Sequence, residues 1–298
     1  MRQLKTTSIV ALLYLGLGFA AGANNALAKP PAPHPQPHLP GGCPDGKTYK
    51  VALTFDDGPN PRSTPQVIKT LQDTDTPATF FVLGDHFNAG DKSSKEWQLL
   101  REERAAGFYV GSHTYSHLPH TKMTQEEMTK NITRSVPLIG DYLAPILRLP
   151  YGDGGFAAHT PAGKAKNAQI MNTIHKAGFT HVLWDIDSQD WKVSTWPNLI
   201  NSVLYQICQS HGGVALFHDA QPHTAAHIAE WIKIIRAAGH ELVGLDTFVP
   251  EAAQSYNPNS PVQANTCTPP GSAVLPQDKQ IEAIKKCVAD QKAEKKND

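Results

Sequence analysis

Val51-Ala52-Leu53-Thr54-Phe55-Asp56-Asp57-Gly58-Pro59 is the stretch from which the rest of this 298-residue chain is best read. Its first five residues are a short apolar run bounded by turn residues, the pattern of a buried strand. Two carboxylates, Asp56 and Asp57, stand where that strand ends, and Gly58-Pro59 turns the chain. Adjacent carboxylates repel, so keeping both charged requires a cation nearby.

Outward from this strand, strand-like and helix-like runs alternate. Strands are predicted at Val51–Phe55, Ala78–Leu83, Phe108–Ser112, Ile146–Leu149, His181–Ile186, Gly213–Phe217 and Glu241–Leu245. Helices are predicted at Ser94–Ala106, at Lys164–Ala177, Leu199–Gln209 and Ala225–Ala238, and from the capping box Thr124-Gln125-Glu126-Glu127 to about Tyr142. Gly178, Gly212 and Gly239 lie just past three of these helices, where a C-terminal stop is expected. Such alternation implies an α/β fold on a parallel sheet, and about seven units favour a barrel over an open doubly wound sheet. No GxGxxG or GxxxxGK[ST] follows a strand, which weakens nucleotide-binding readings.

Barrels of this kind carry their chemistry at the C-terminal ends of the strands, and the reactive residues fall there. Asp56 and Asp57 follow the first strand, and His113 and His117 the third. Arg148 and Tyr151 lie around the end of the fourth; Asp187, Asp190 and Trp191 follow the fifth; His218 and Asp219 follow the sixth. Two histidines four apart on one helical turn reach one metal, and a carboxylate from another strand makes an open His₂Asp site. His223 and His227 share the spacing, but they open a helix rather than follow a strand, so His113 and His117 are preferred. One member of the aspartate pair then binds metal while the other is free as a general base. His218 suits a proton donor, Asp190 can orient it and raise its pKa, and Arg148 can pair with the free carboxylate.

Thr54-Phe55-Asp56-Asp57-Gly58-Pro59, Ser112-His113-Thr114-Tyr115-Ser116-His117, Arg148-Leu149-Pro150-Tyr151, Asp187-Ser188-Gln189-Asp190-Trp191 and Leu216-Phe217-His218-Asp219 occur in this order. Together they resemble the five motifs of the polysaccharide deacetylases of carbohydrate esterase family 4, the NodB-homology domain, over residues 48–250. The resemblance implies a distorted (β/α) barrel. It implies Asp56 as base, Asp57 with His113 and His117 as metal ligands, and Arg148 as the residue holding the base. It further implies the Tyr151 N–H as oxyanion donor, Asp190 tuning the acid His218, and Trp191 and Leu216 as walls of an acetyl pocket. The expected cofactor is one divalent ion, Zn²⁺ first, with Co²⁺, Ni²⁺ or Mn²⁺ suiting the same ligands. The glycine-rich run Gly152-Asp153-Gly154-Gly155 after the third motif departs from the usual pattern and weakens inference about the sugar.

The ends of the chain are of a different character. Arg2, Lys5 and the apolar Ile9–Ala21 run, with Ala26-Leu27-Ala28 as a cleavage site, read as a signal peptide over 1–28 and no stable membrane span after cleavage. Residues 29–47 read as a Pro-rich linker and 251–298 as a loop with a short helix. Export to a periplasmic or extracellular location follows, and the four cysteines, Cys43, Cys208, Cys267 and Cys287, are expected in disulfides of three alternative connectivities. A formal net charge of zero without a long basic run argues against nucleic acid as partner; the resemblance implies a poly- or oligosaccharide substrate, and a monomer is expected. The expected activity is removal of N-acetyl groups from a GlcNAc-containing polymer, peptidoglycan or chitin. The alternatives are O-deacetylation of xylan, a non-catalytic carbohydrate-binding protein on the same fold, and a non-haem iron oxygenase. The βα alternation and the second adjacent aspartate argue against the last.

Overall fold

The central strand β1 (Lys50–Gly58) is buried from Val51 to Asp56 and pairs with a neighbour on each side along its length. The computed structural model of the protein describes residues 42–155, 158–192 and 195–257, the side chain of Trp196 excepted. All strand pairings are parallel. The sheet runs β5 (Thr180–His181), β4 (Ile146–Leu147), β3 (Tyr109–Ser112), β2 (Ala78–Val82), β1, β7 (Gly213–His218), β6 (Ile186–Asp187), with β8 (Glu241–Leu242) pairing the start of β1. It is a curled, distorted (β/α) barrel, as expected.

Successive residues of β1 face opposite sides of the sheet. Val51, Leu53 and Phe55 belong to the large core beneath the helices, while Ala52 belongs to the smaller interior core with Phe81, Ile146 and Val214. Thr54 and Asp56 share the interior parity with Ala52, and both bond the Arg148 guanidinium. One strand thus supplies both an apolar wall and a polar interior.

The helices are α1 (Thr64–Asp73), α2 (Lys95–Ala105), α3 (Gln125–Thr133), α4 (Val136–Ile139), α5 (Pro161–Lys176), α6 (Trp196–Ser210) and α7 (Pro222–Ala237). Gly178, Gly212 and Gly239 have φ of +81°, +85° and +87°, the left-handed conformation of a helix stop. The Thr124–Glu127 capping box forms in full.

Two expectations need correction, and one helix has no counterpart among them. The helix predicted from Thr124 to Tyr142 ends at Thr133 and restarts as α4, because Pro137 lacks the N–H that would continue the ladder. Helix α1 was not anticipated, although Val67, Ile68 and Leu71 are buried with helical spacing. The single strand predicted over His181–Ile186 is two. Its first half pairs with β4, through Val182 N–H to the Leu147 carbonyl at 2.8 Å, and its second with β7, through Asp185 N–H to the Val214 carbonyl at 2.9 Å. Between them, at Leu183-Trp184, the chain changes partner, and Arg148 fills the seam. Its Nε donates to the Val182 carbonyl and its Nη2 to the Leu183 carbonyl, both at 3.1 Å.

Cys43 and Cys208 form a disulfide that ties the segment before β1 to α6. Near the other end, Tyr256 stacks on Phe179 with centroids 4.5 Å apart and donates to the Ala177 carbonyl, so residues past 250 pack on the barrel. The signal segment, most of the linker, Cys267, Cys287 and the C-terminal helix expected after Gln277 lie outside the described residues. Among the described residues no helix is long and apolar enough to cross a membrane.

Candidate active site

At the C-terminal end of β1, Asp56 stands opposite Phe81 and Gly58 opposite Val82, so two residues of β1 span one of β2. This bulge at Asp57, with φ of +72°, re-aims the second carboxylate. Strict alternation would send the aspartates to opposite faces. Instead His113 Nε2 lies 3.3 Å from Asp57 Oδ1 and 3.9 Å from Asp56 Oδ2, and His117 Nε2 lies 3.4 Å from Asp57 Oδ1.

The two histidines do not share a helical turn, contrary to the expectation from their spacing. They sit on an irregular loop after β3, bent by Thr114 at φ +71°, which brings their rings to 5.3 Å between centroids. His113 Nδ1 donates to the Arg148 carbonyl at 2.8 Å, and His117 Nδ1 lies 3.1 Å from the Tyr151 hydroxyl. With Nδ1 so engaged, His113 turns its Nε2 towards Asp57 Oδ1, a buried oxygen without a hydrogen-bond partner. A nitrogen and a carboxylate oxygen facing one another at this range share a proton or a metal cation, and two imidazoles converging on one oxygen favour the metal. The ligand atoms of Asp57, His113 and His117 all lie within 4.8 Å of one another, so the donor set fits one divalent ion with an open position. His223 and His227 also approach, at 4.6 Å, yet belong to no such three-ligand group among the described residues. Cys43, Cys208 and His240 cluster too, but the two sulfurs are spent on each other.

Asp56 is 3% exposed and receives Arg148 Nη1 at 2.8 Å; the same Nη1 reaches Thr54 Oγ1 at 2.8 Å. Burial draws the guanidinium's pKa down, and the Asp56 charge opposes that. On the far side, His218 Nδ1 bonds Asp190 Oδ1 at 2.6 Å, and Asp190 Oδ2 accepts the His218 backbone N–H at 2.8 Å and the Thr224 hydroxyl. Burial alone would depress His218, but the Asp190 hydrogen bond and charge, with Asp56 and Asp57 behind them, raise it to about 9. Burial pushes the Asp57 carboxyl up, but its contact with His113 and the neighbouring imidazoles of His218 and His117 outweigh that and hold it at about 2. Leu216 is buried on β7 opposite Asp187, while Trp191 is 57% exposed beyond β6.

Four non-glycine residues at this rim, Asp57, Thr114, Tyr151 and Gln189, hold φ between +53° and +72°, and each lies in a different motif. Left-handed backbone at such residues costs on the order of 1–3 kcal/mol and persists where the surroundings over-determine it, characteristically at functional sites.

Two contributors have no role in the sequence reading. Asp219 is fully buried, and its carboxyl, pushed up to about 7 by burial, lies where a side chain on Gly58 would have to go, with a Cβ there only 2.3 Å from Oδ2. It accepts the Thr64 hydroxyl, and its carbonyl accepts Ser63 Oγ at 2.6 Å, so it latches the Asp57-Gly58 turn to the end of β7. Thr224 fixes Asp190. Asp219's place directly after His218 was the one available signal. The glycines after Tyr151 have a packing reason, since side chains at Gly154 and Gly155 would meet Ile170 and Leu183.

A family model described as polysaccharide deacetylase matches residues 44–182. The chain is 32% identical over 217 residues to a peptidoglycan-N-acetylglucosamine deacetylase of Listeria monocytogenes, a match covering 71% of this chain and 41% of that protein. It thus spans about two fifths of that relative's length. It is 30% identical to a chitooligosaccharide deacetylase of Azorhizobium caulinodans over 58% of this chain and 74% of that one. Among solved structures it resembles a family 4 carbohydrate esterase from Streptomyces lividans in complex with acetate, with TM-score 0.52, 28% identity and coverage of 64% and 90% of the two chains. The peptidoglycan deacetylase PdaC of Bacillus subtilis gives 0.52, 27%, and 69% and 92%.

Proposed function

The chain belongs to the polysaccharide deacetylase family, and from that premise we propose that it is a metal-dependent hydrolase removing N-acetyl groups from a GlcNAc-containing glycan, releasing acetate. The observation that carries the proposal is Asp57 Oδ1, buried without a hydrogen-bond partner between two imidazole Nε2 atoms.

A divalent ion on Asp57, His113 and His117, Zn²⁺ by its ligand chemistry, would supply Lewis acidity and a water acidic enough to lose a proton near neutral pH. The remaining work belongs to the side chains. Asp56 takes the proton of the attacking water; its Oδ1 is committed to Arg148, and Oδ2 faces His113. The backbone N–H of Tyr151 donates to the carbonyl oxygen as charge develops on it. His218 has Nδ1 occupied by Asp190, which leaves Nε2 to give a proton to the departing nitrogen. Leu216 and Trp191 bound the acetyl group. The products are acetate and the free amino sugar. Export is consistent with the Cys43–Cys208 disulfide, which an oxidising compartment favours.

The test is acetate release from N-acetylglucosamine oligomers, peptidoglycan and acetylxylan, with and without chelator. Release from the first two, lost on chelation and restored by Zn²⁺, is expected. His113→Ala should lose bound metal and activity and His223→Ala neither. Release from acetylxylan alone would select the esterase alternative, and release from none would reject the enzyme.

The acid has its own test. His218 must be protonated to act, so activity falls as pH rises through its pKa, which Asp190 holds above neutral. Asp190→Asn removes a charge-assisted hydrogen bond, and the alkaline limb of kcat should move down by about 1–2 pH units. An unmoved limb would assign it to another group.

A further inference from the structure

The two histidines of the candidate centre are held in different ways. The His113 side chain is 3% exposed, and its Nδ1 meets the Arg148 carbonyl at 2.8 Å. A carbonyl only accepts, so burial and one bond leave that ring a single orientation. The His117 side chain is 34% exposed, and packing does not fix it. Its backbone is fixed from before. Asn131 Oδ1 accepts the Ser116 N–H at 3.0 Å, Asn131 Nδ2 donates to the Ser116 carbonyl at 3.2 Å, and the Asn131 carbonyl accepts the Tyr115 N–H at 2.8 Å. These bonds leave rotation of the His117 ring about its own side-chain torsions unrestrained.

Tyr151 meets that ring. Its hydroxyl lies 3.1 Å from His117 Nδ1, and the two rings pack edge to face with centroids 4.7 Å apart. The same hydroxyl donates to the His117 carbonyl at 3.5 Å, which leaves its lone pairs for a proton on Nδ1. A second bond ties the two loops together, from the Thr121 N–H to Asp153 Oδ2 at 2.9 Å. Tyr151 holds φ +62° and ψ 6°, a left-handed backbone that costs a non-glycine residue on the order of 1–3 kcal/mol. Its side chain is largely exposed, so burial does not account for a tyrosine kept in that conformation.

We propose that Tyr151 is a positioning residue of the metal site: its hydroxyl accepts the Nδ1 proton of His117 and orients the ring with Nε2 towards Asp57 Oδ1, 3.4 Å away. An imidazole that ligates through one nitrogen is oriented by the hydrogen bond at the other. The Arg148 carbonyl does this for His113, so the segment 148–151 orients both rings. Tyr151 then has two separable tasks, its backbone N–H serving the reacting carbonyl and its side chain serving a ligand. The inference rests on the metal-site reading, and its test requires no turnover.

Tyr151→Phe removes the hydroxyl and keeps the ring and the backbone N–H. Zn²⁺ affinity is measured on the full chain by competition with a chromophoric chelator. The variant should bind one ion about tenfold more weakly, the low end of the usual range because water reaches an exposed ring. In the Zn²⁺-loaded protein labelled with ¹⁵N-histidine, the His117 Nδ1–H should exchange with solvent faster in the variant. The His113 Nδ1–H, bonded to a carbonyl, should not change and serves as the internal control. Equal Zn²⁺ affinity in the variant and the unsubstituted chain overturns the inference. So does a loss of affinity accompanied by a lower Tm of the metal-free protein or by faster exchange at His113, since Tyr151 would then support the whole loop rather than one ring. Absence of Zn²⁺ binding by the unsubstituted chain is a separate failure, which rejects the metal site itself and the hydroxyl's role with it.

Discussion

Asp56→Asn is expected to keep its metal and lose about 10²–10⁴-fold in kcat, the usual worth of a general base, with little change in substrate binding. Asp57→Asn is expected to lose metal affinity instead, and excess Zn²⁺ should recover part of its activity. The two residues are chain neighbours with identical side chains, and only geometry separates them. Asp56 has one oxygen held by Arg148 and is tied into the barrel interior. Asp57 sits on a bulge with an oxygen midway between two imidazoles. Metal content by elemental analysis, measured beside kcat, distinguishes the roles. Metal lost from Asp56→Asn and kept by Asp57→Asn would reverse the assignment. Full metal and full activity in both would reduce the pair to a turn.

Arg148→Ala is expected to inactivate the protein and also to destabilise it by about 3–5 kcal/mol, because it leaves Asp56 buried with no counter-charge. In a chain of this size that corresponds to a fall in Tm of roughly 6–20 °C. The Val182 and Leu183 carbonyls lose their donors in the same substitution. Adding Asp56→Asn removes the orphaned charge, so the double variant should be more stable than the sum of the single losses. Arg148→Lys should rescue little, since an ammonium lacks the planar fork that reaches two carbonyls and a carboxylate at once. Thermal denaturation of Arg148→Ala, Asp56→Asn, their double variant and Arg148→Lys checks this. Additive losses would mean that the guanidinium acts only through its carbonyl contacts.

What the sequence disclosed follows the distance over which each signal acts. β1 and β7 were legible because their apolar runs are continuous and bounded by turns. The capping box and the glycine stops were legible because they are chemistry between residues within one turn of each other. The split of residues 180–187 was not, because an apolar segment carries no mark of which neighbour it pairs with. The motif residues were legible as a set, each falling at a strand end. The mutual placement of Asp57, His113 and His117 depends on a bulge and on Thr114 in left-handed backbone, and neither residue type advertises that conformation. Asp219 escaped a role because its effect is to occupy the space of a side chain absent from Gly58, 161 residues earlier in the chain.

The seam at Leu183-Trp184 also bears on how the barrel breathes. The segment is held there by Arg148 rather than by a continuous ladder, and a strand with few ladder bonds opens at lower free energy than the core around it. Each such opening would strip Arg148 of two carbonyl acceptors and loosen its hold on Asp56, the proposed base, in the same fluctuation that admits solvent to the interior. Amide hydrogen exchange at the edges of the seam, Val182 and Asp185, would then report the fraction of molecules with an assembled base, and heat inactivation would run ahead of global unfolding.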